Sequence, residues 1–147
     1  MKKLTLALIA HDSKKEDMIS LVKAHREELS EVNLVATKST GEMIQSRLGL
    51  PVTLLQSVKY GGDQQVGTLV ANGDVTAVIF LRDPLMAQPY EPKITDLLRV
   101  CDIHDVPLAT NLTTGEAVIH LMFEHPEALS GHHLIAQYLE DMAAVHE

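Results

Sequence analysis

Three aspartates, Asp12, Asp63 and Asp83, and a hydroxyl-rich run, Thr37, Ser39 and Thr40, are the residues whose types suit chemistry on a small anionic substrate. A carboxylate near neutral pH is a candidate general base for removing a proton. The stretch Thr37-Lys38-Ser39-Thr40-Gly41 has the composition of an anion cradle. Hydroxyls and the unpaired amides of a helix start point together at a bound oxyanion, and the helix dipole favours negative charge there. Lys15 and Ser57 can close on the same group, one as a point charge and the other as a hydroxyl donor. Gly61-Gly62 ahead of Asp63 allows backbone to approach a substrate closely, because glycine puts no side chain in the way. Each of these features also has a plainer use. Ser39 and Glu42 stand at the spacing of a capping box, Asp63 can complement a helix dipole, and Asp83-Pro84 can start a turn.

Other chemistries lack their signatures. Cys101 shares the spacing of Ile94, Leu97 and Leu98, where a thiol serves as a small hydrophobe, and no G-x-S-x-G is present. Neither G-x-x-x-x-G-K-[ST] nor G-x-G-x-x-G occurs, so nucleoside triphosphates and dinucleotides are not expected. There are eight histidines, but only His132 and His133 are adjacent, and neighbouring side chains on a helix diverge by roughly 100°. The expectation is therefore no dedicated metal site. A formal charge of −8 repels polyanions, and 3% aromatic content with no Trp gives bases nothing to stack on, which excludes a nucleic-acid platform. The apolar runs Leu4 to Ala10 and Val75 to Leu81 are far short of the roughly 20 residues of a membrane span. Lys2-Lys3 ahead of the first run imitates a signal peptide, yet the run leads into His11-Asp12-Ser13-Lys14-Lys15 with no small-residue cleavage site. With one cysteine, the reading is a cytoplasmic protein.

The elements that must position these residues follow from hydrophobic period. Leu4 to Ala10 reads as a strand, followed by a helix with Met18, Leu21, Val22, His25 and Leu29 on one face. Glu31 to Thr37 repeats the pattern, with a helix carrying Met43, Ile44 and Leu48 after it. Val52 to Leu55 is a third strand, then a helix with Val66, Leu69 and Val70 inward, closed by Asn72-Gly73. Val75 to Leu81 is a buried fourth strand. A loop holding Pro84, Pro89 and Pro92 precedes a helix with Ile94, Leu97, Leu98 and Cys101. Pro107 to Thr110 is the fifth strand, and a helix from Thr113 to Met122 carries Val118, Leu121 and Met122. A C-terminal helical tail, residues 125–147, has the stripe Leu134, Ile135, Tyr138, Leu139 and Met142 and is expected to dock. Alternating strands and helices over 147 residues predict one α/β domain: an open, mostly parallel five-stranded sheet with helices on both faces. Right-handed crossovers put every strand's carboxyl end on one edge, where such sheets bind ligands. His11, Asp12, Lys15, Thr37 to Gly41, Ser57, Gly61 to Asp63, Asp83 and Thr110-Asn111 all follow strands.

These residues also carry a resemblance. Ile9-Ala10-His11-Asp12, Ala36-Thr37 leading to Thr40-Gly41, Gly61-Gly62-Asp63-Gln64-Gln65-Val66-Gly67, Arg82-Asp83-Pro84 and Pro107-Leu108-Ala109-Thr110-Asn111 resemble methylglyoxal synthases from Leu4 to about Met122. The resemblance implies a cofactor-free lyase, usually a homohexamer, that turns dihydroxyacetone phosphate into methylglyoxal and inorganic phosphate. It implies Asp63 as the catalytic base, with Asp12 and Asp83 as the other active-site carboxylates. It also implies His11, Lys15, Thr37, Ser39, Thr40 and Ser57 around substrate and phosphate, and Lys38, Gly41, Val58 and Gly62 are expected at the same place in this chain. Three departures stand out. The family's Pro-His in the loop reads Pro89-Tyr90, so a phenol takes the place of the histidine donor. The family's Ser-Gly reads Ser57-Val58, Lys38 stands for a glycine, and Lys93 stands for an acidic residue. The alternative reading is a non-catalytic or substrate-shifted domain of the same fold that binds a phosphorylated metabolite.

Overall fold

The computed structural model describes residues 4–85 and 94–145. Five strands form one sheet: β1 (Thr5–Ala10), β2 (Asn33–Ala36), β3 (Thr53–Leu54), β4 (Ala77–Leu81) and β5 (Leu108–Ala109); β1 and β4 are apolar runs without alternation, covered on both faces, whereas β3 at the edge is exposed. Their order is β3-β2-β1-β4-β5, and each neighbouring pair is parallel. The helices are α1 (Lys15–Ala24), α2 (Arg26–Leu29), α3 (Lys38–Leu48), α4 (Gly62–Ala71), α5 (Ile94–Ile103), α6 (Leu112–Glu124) and α7 (His132–Val145).

Side chains alternate across the sheet, so β1 and β4 feed two cores. Leu6, Leu8 and Ala10 with Ala77, Ile79 and Leu81 meet Met18 and Val22 of α1, Ile44 of α3 and Ile119 of α6. Ala7, Ile9, Val78 and Phe80 point the other way, onto Val66 and Val70 of α4 and Leu97 and Cys101 of α5. Each fully buried Leu, Ile or Phe contributes about 1.5–3 kcal/mol relative to exposure. The helices thus lie on both faces, as expected. Cys101 is fully buried, and burial with the nearby Asp102 charge pushes its thiol up to about 11. At neutral pH it is a protonated hydrophobe.

The structure departs from the expected elements in three places. The first helix breaks at His25, whose backbone (φ −116°, ψ 25°) ends α1 before α2 begins, although Met18, Leu21, Val22, His25 and Leu29 are all buried. Leu98 and Leu121 are 43% and 36% exposed, at the margins of their stripes rather than within them. The tail does form a helix, and its start is tied down where the Gly131 amide donates to Asp105 Oδ2 at 2.6 Å. Its stripe is nevertheless uncovered: Leu134, Ile135, Tyr138 and Leu139 are about 60% exposed, so the expectation of docking fails within this chain. Among the described residues no helix is long and apolar enough to cross a membrane.

Candidate functional site

The sheet winds outward from β1 in both directions, through β2 to β3 and through β4 to β5, so the reversal lies between β1 and β4. His11 leaves β1 there. Its amide donates to the Leu81 carbonyl at 3.0 Å, and its Nδ1 accepts from the Asp83 amide at 2.7 Å. An accepting Nδ1 leaves the proton of a neutral ring on Nε2, where it is a donor. The ring is buried and stands edge-on to Phe80, with centroids 5.3 Å apart. The Asp83 carboxylate accepts from Ser13 Oγ at 2.8 Å and from the Leu85 amide at 2.9 Å. Those two bonds, Ser13 first, outweigh desolvation and hold its carboxyl below the ordinary aspartate range, with Lys14 adding attraction. A carboxylate so stabilised is a weak base and a firm anchor for the loop it begins. Asp12 is contacted by Lys15 Nζ one turn on, and the lysine side chain is 16% exposed against 77% for the aspartate.

A second group lies at the next strand end. The helix α3 starts at Lys38 with Thr37 as N-cap, and Thr37 makes no side-chain capping bond. Ser39 therefore sits inside the first turn, and the capping box with Glu42 does not form. The Thr37 amide donates to Leu8 and the Gly41 amide to the Thr37 carbonyl. The amides of Lys38, Ser39 and Thr40 are the helix-start donors that geometry leaves without intrahelical acceptors. Thr37 and Thr40 are each 2% exposed, and the buried Thr40 Oγ1 meets no partner among the described residues. Gly41 contributes packing: a Cβ there would stand 2.3 Å from Leu54 Cδ2, with Ala36 and Val52 close by.

The third strand's end closes onto this group. Ser57 begins a 3-10 turn, Val58–Tyr60, and its carbonyl accepts from the amides of Tyr60 (2.9 Å) and Gly62 (3.0 Å). The turn's left-handed residue is Gly61, at φ +88°, whereas Val58 has no positive φ, so its side chain is tolerated where the family has glycine. Gly62 is pressed against both neighbours: a Cβ would lie 1.9 Å from the Gln56 carbonyl oxygen and 3.1 Å from Thr37 Cγ2. Asp63, half-buried in the first turn of α4, is thereby carried on a turn packed against Thr37.

His11, Asp12, Lys15 and Asp83 thus gather at the β1 and β4 ends, and Thr37, Lys38, Ser39, Thr40, Ser57, Val58, Gly62 and Asp63 at the adjoining β2 and β3 ends. Tyr90, Pro89, Pro92 and Lys93 lie outside the described residues. Thr110-Asn111 has a local explanation, since Asn111 Oδ1 caps α6 by accepting from the Thr114 amide and hydroxyl, each at 3.0 Å. Three contributors went unmarked in the sequence: Ser13, which holds Asp83; Gln65, whose Oε1 accepts from the Gln56 amide at 2.7 Å; and Arg82, whose buried Nε meets no partner among the described residues. Gln65 and Arg82 do sit inside the stretches that carry the resemblance, but their types and spacing assign them no task. A groove of about 200 Å³ at the opposite edge, between Ser30, Asn33, Pro51 and Thr53, is lined by no charged residue.

The MGS-like domain family matches residues 17–110. The methylglyoxal synthase of Moorella thermoacetica is 52% identical over 123 residues, covering 84% of this chain and 96% of that protein. That of Cupriavidus metallidurans is 48% identical over 127 residues, covering 84% and 91%. The crystal structure of methylglyoxal synthase from Elizabethkingia anophelis NUHP1 matches with a TM-score of 0.79 at 34% identity, over 87% of this chain and 82% of that one. With identity of this extent across most of both partners and a shared fold, the chain belongs to the methylglyoxal synthase family.

Proposed function

We propose that this protein converts dihydroxyacetone phosphate to methylglyoxal and inorganic phosphate. The observation that carries the reading is the packing of the Gly62-Asp63 turn on Thr37, which joins a carboxylate to a helix start suited to phosphate. In this reading the phosphate lies on the amides of Lys38, Ser39 and Thr40, the Thr40 and Ser57 hydroxyls and Lys15. The Asp63 carboxylate removes a proton from the hydroxymethyl carbon, and the electron pair moves into an enediolate whose oxygen is held by donors. The His11 Nε2–H, fixed by the bond at Nδ1, supplies one such donor as a neutral imidazole. The Tyr90 hydroxyl supplies another. Collapse of the enediolate breaks the carbon–oxygen bond to phosphate, and the enol left behind takes up a proton at its methylene carbon to become methylglyoxal. Asp83 orients His11 and the loop, and Asp12 holds Lys15. The reaction asks for no metal or other cofactor.

The test is phosphate release from dihydroxyacetone phosphate by the purified chain. Asp63→Asn should lose about 10²- to 10⁴-fold in rate while still binding phosphate. Binding of substrate without any turnover in the unaltered protein would reject the reading and leave a phosphate-ligand sensor. A homohexameric assembly in the cytoplasm is part of the proposal. The exposed stripe Leu134, Ile135, Tyr138, Leu139 and Met142 of α7 supports association of copies, and light scattering tests it.

A further inference from the structure

We infer that His25, Glu116 and His120 form a binding site for a transition-metal dication of the zinc class, remote from the proposed reaction. His25 ends α1, and Glu116 and His120 are one turn apart on α6. His25 Nε2 lies 3.2 Å from Glu116 Oε1, and His120 Nε2 lies 3.6 Å from the same oxygen. All three ligand atoms fall within 4.8 Å of one another. Tetrahedral zinc with ligands at 2.0–2.1 Å separates its donors by about 3.3 Å. Two of the three separations are already near that value, and the third needs to close by at most about 1.5 Å, which rotation of the exposed His120 can supply.

Outer carboxylates stand behind both imidazoles of the triad. Each histidine turns Nε2 to the shared centre and Nδ1 to a different carboxylate: His25 to Glu28 at 3.7 Å, and His120 to Glu124 at 3.6 Å. At these distances, just beyond hydrogen-bond reach, each carboxylate stands where it can accept from Nδ1–H once Nε2 takes a metal, the outer contact that orients a ligating imidazole. The two rings meet edge to face at 5.4 Å with 84° between planes, so their Nε2 atoms approach one point from different directions. His25 is 7% exposed, which fixes one ligand rigidly. Two imidazoles with one carboxylate favour zinc, nickel or copper over magnesium or calcium, which prefer oxygen. Because α1 starts at the carboxyl end of β1 and runs back for ten residues, about 15 Å, its far end lies toward the opposite edge from Asp63 and Thr40. The ion would staple α1 to α6 and leave the reaction alone.

The test uses the full chain, stripped with a chelator and titrated with Zn²⁺ by calorimetry and thermal denaturation. One ion per chain and a rise in Tm of about 5 °C or more at a hundredfold excess over Kd are expected, with no response to Mg²⁺. His120→Ala and Glu116→Gln, both at exposed positions, should each weaken binding at least about tenfold and cut the rise at the same Zn²⁺ concentration to about half or less. His132→Ala should change neither. Absence of one-to-one binding, binding undiminished in His120→Ala and Glu116→Gln, or an equal response to Mg²⁺ would each overturn the site. Phosphate release is not the readout, so the outcome is independent of the proposed reaction.

Discussion

Replacing Gly62 by alanine tests the coupling between the Asp63 turn and the phosphate cradle. The added Cβ would sit 1.9 Å from the Gln56 carbonyl oxygen and 2.8 Å from its carbon. Both atoms are backbone, so no rotamer change relieves the clash, and the start of α4 must move away from residue 56 by at least about 1 Å. Asp63 is the next residue and moves with it. Overpacking of this kind costs about 1–3 kcal/mol of stability, about 2–12 °C in Tm for a domain of this size. A displacement of about 1 Å between base and bound substrate costs about 10²-fold in rate. Gly62→Ala should therefore lower kcat/KM for phosphate release about a hundredfold in protein that is still folded by circular dichroism. Gly67, five residues along the same helix, is the control, because a Cβ there meets nothing within 4 Å. Gly67→Ala should gain about 0.5–1 kcal/mol of helix stability and keep its activity. Full activity in Gly62→Ala at unchanged Tm would show that the turn does not set the position of Asp63.

Three other outcomes are expected. Thr40→Val removes a hydroxyl that has no partner among the described residues, so Tm should hold or rise, while affinity for inorganic phosphate by calorimetry should fall about 10- to 100-fold; unchanged affinity removes Thr40 from the cradle. Because its folded-state titration is depressed, Asp83 contributes stability that is fully present above the ordinary aspartate value of about 3.9 and is lost as pH falls through its own lower midpoint. Carbon-13 NMR of the carboxyl should show that midpoint moving up in Ser13→Ala, the Leu85 amide bond preventing full return; no movement would contradict the assignment of Ser13 as the main cause. Tyr90→Phe should slow phosphate release at least about tenfold if the phenol stabilises the enediolate, and an unchanged rate takes it out of the mechanism.

Much of the architecture is a local matter and is visible in the residue order. The unbroken apolar runs of β1 and β4 and the three- and four-residue spacing of the helices dictate a parallel sheet covered on both faces, and that fold sends His11, Thr37, Ser57 and Asp83 to one edge. Three things depended on contacts between distant segments. The choice between Ser39 as a cap and Ser39 as part of an open helix start was settled by where α3 begins, at Lys38 with Thr37 as its cap, on a helix whose Gly41 packs against Leu54 of the neighbouring strand. The fate of the tail's stripe turned on whether any surface of the chain receives it, and hydrophobic period says which face of a helix is apolar but not what covers it. The meeting of His25 with Glu116 and His120 spans 91 residues from His25 to Glu116. Spacing rules find ligands on one helix, whereas this set exists only because the sheet brings α1 and α6 side by side on one of its faces.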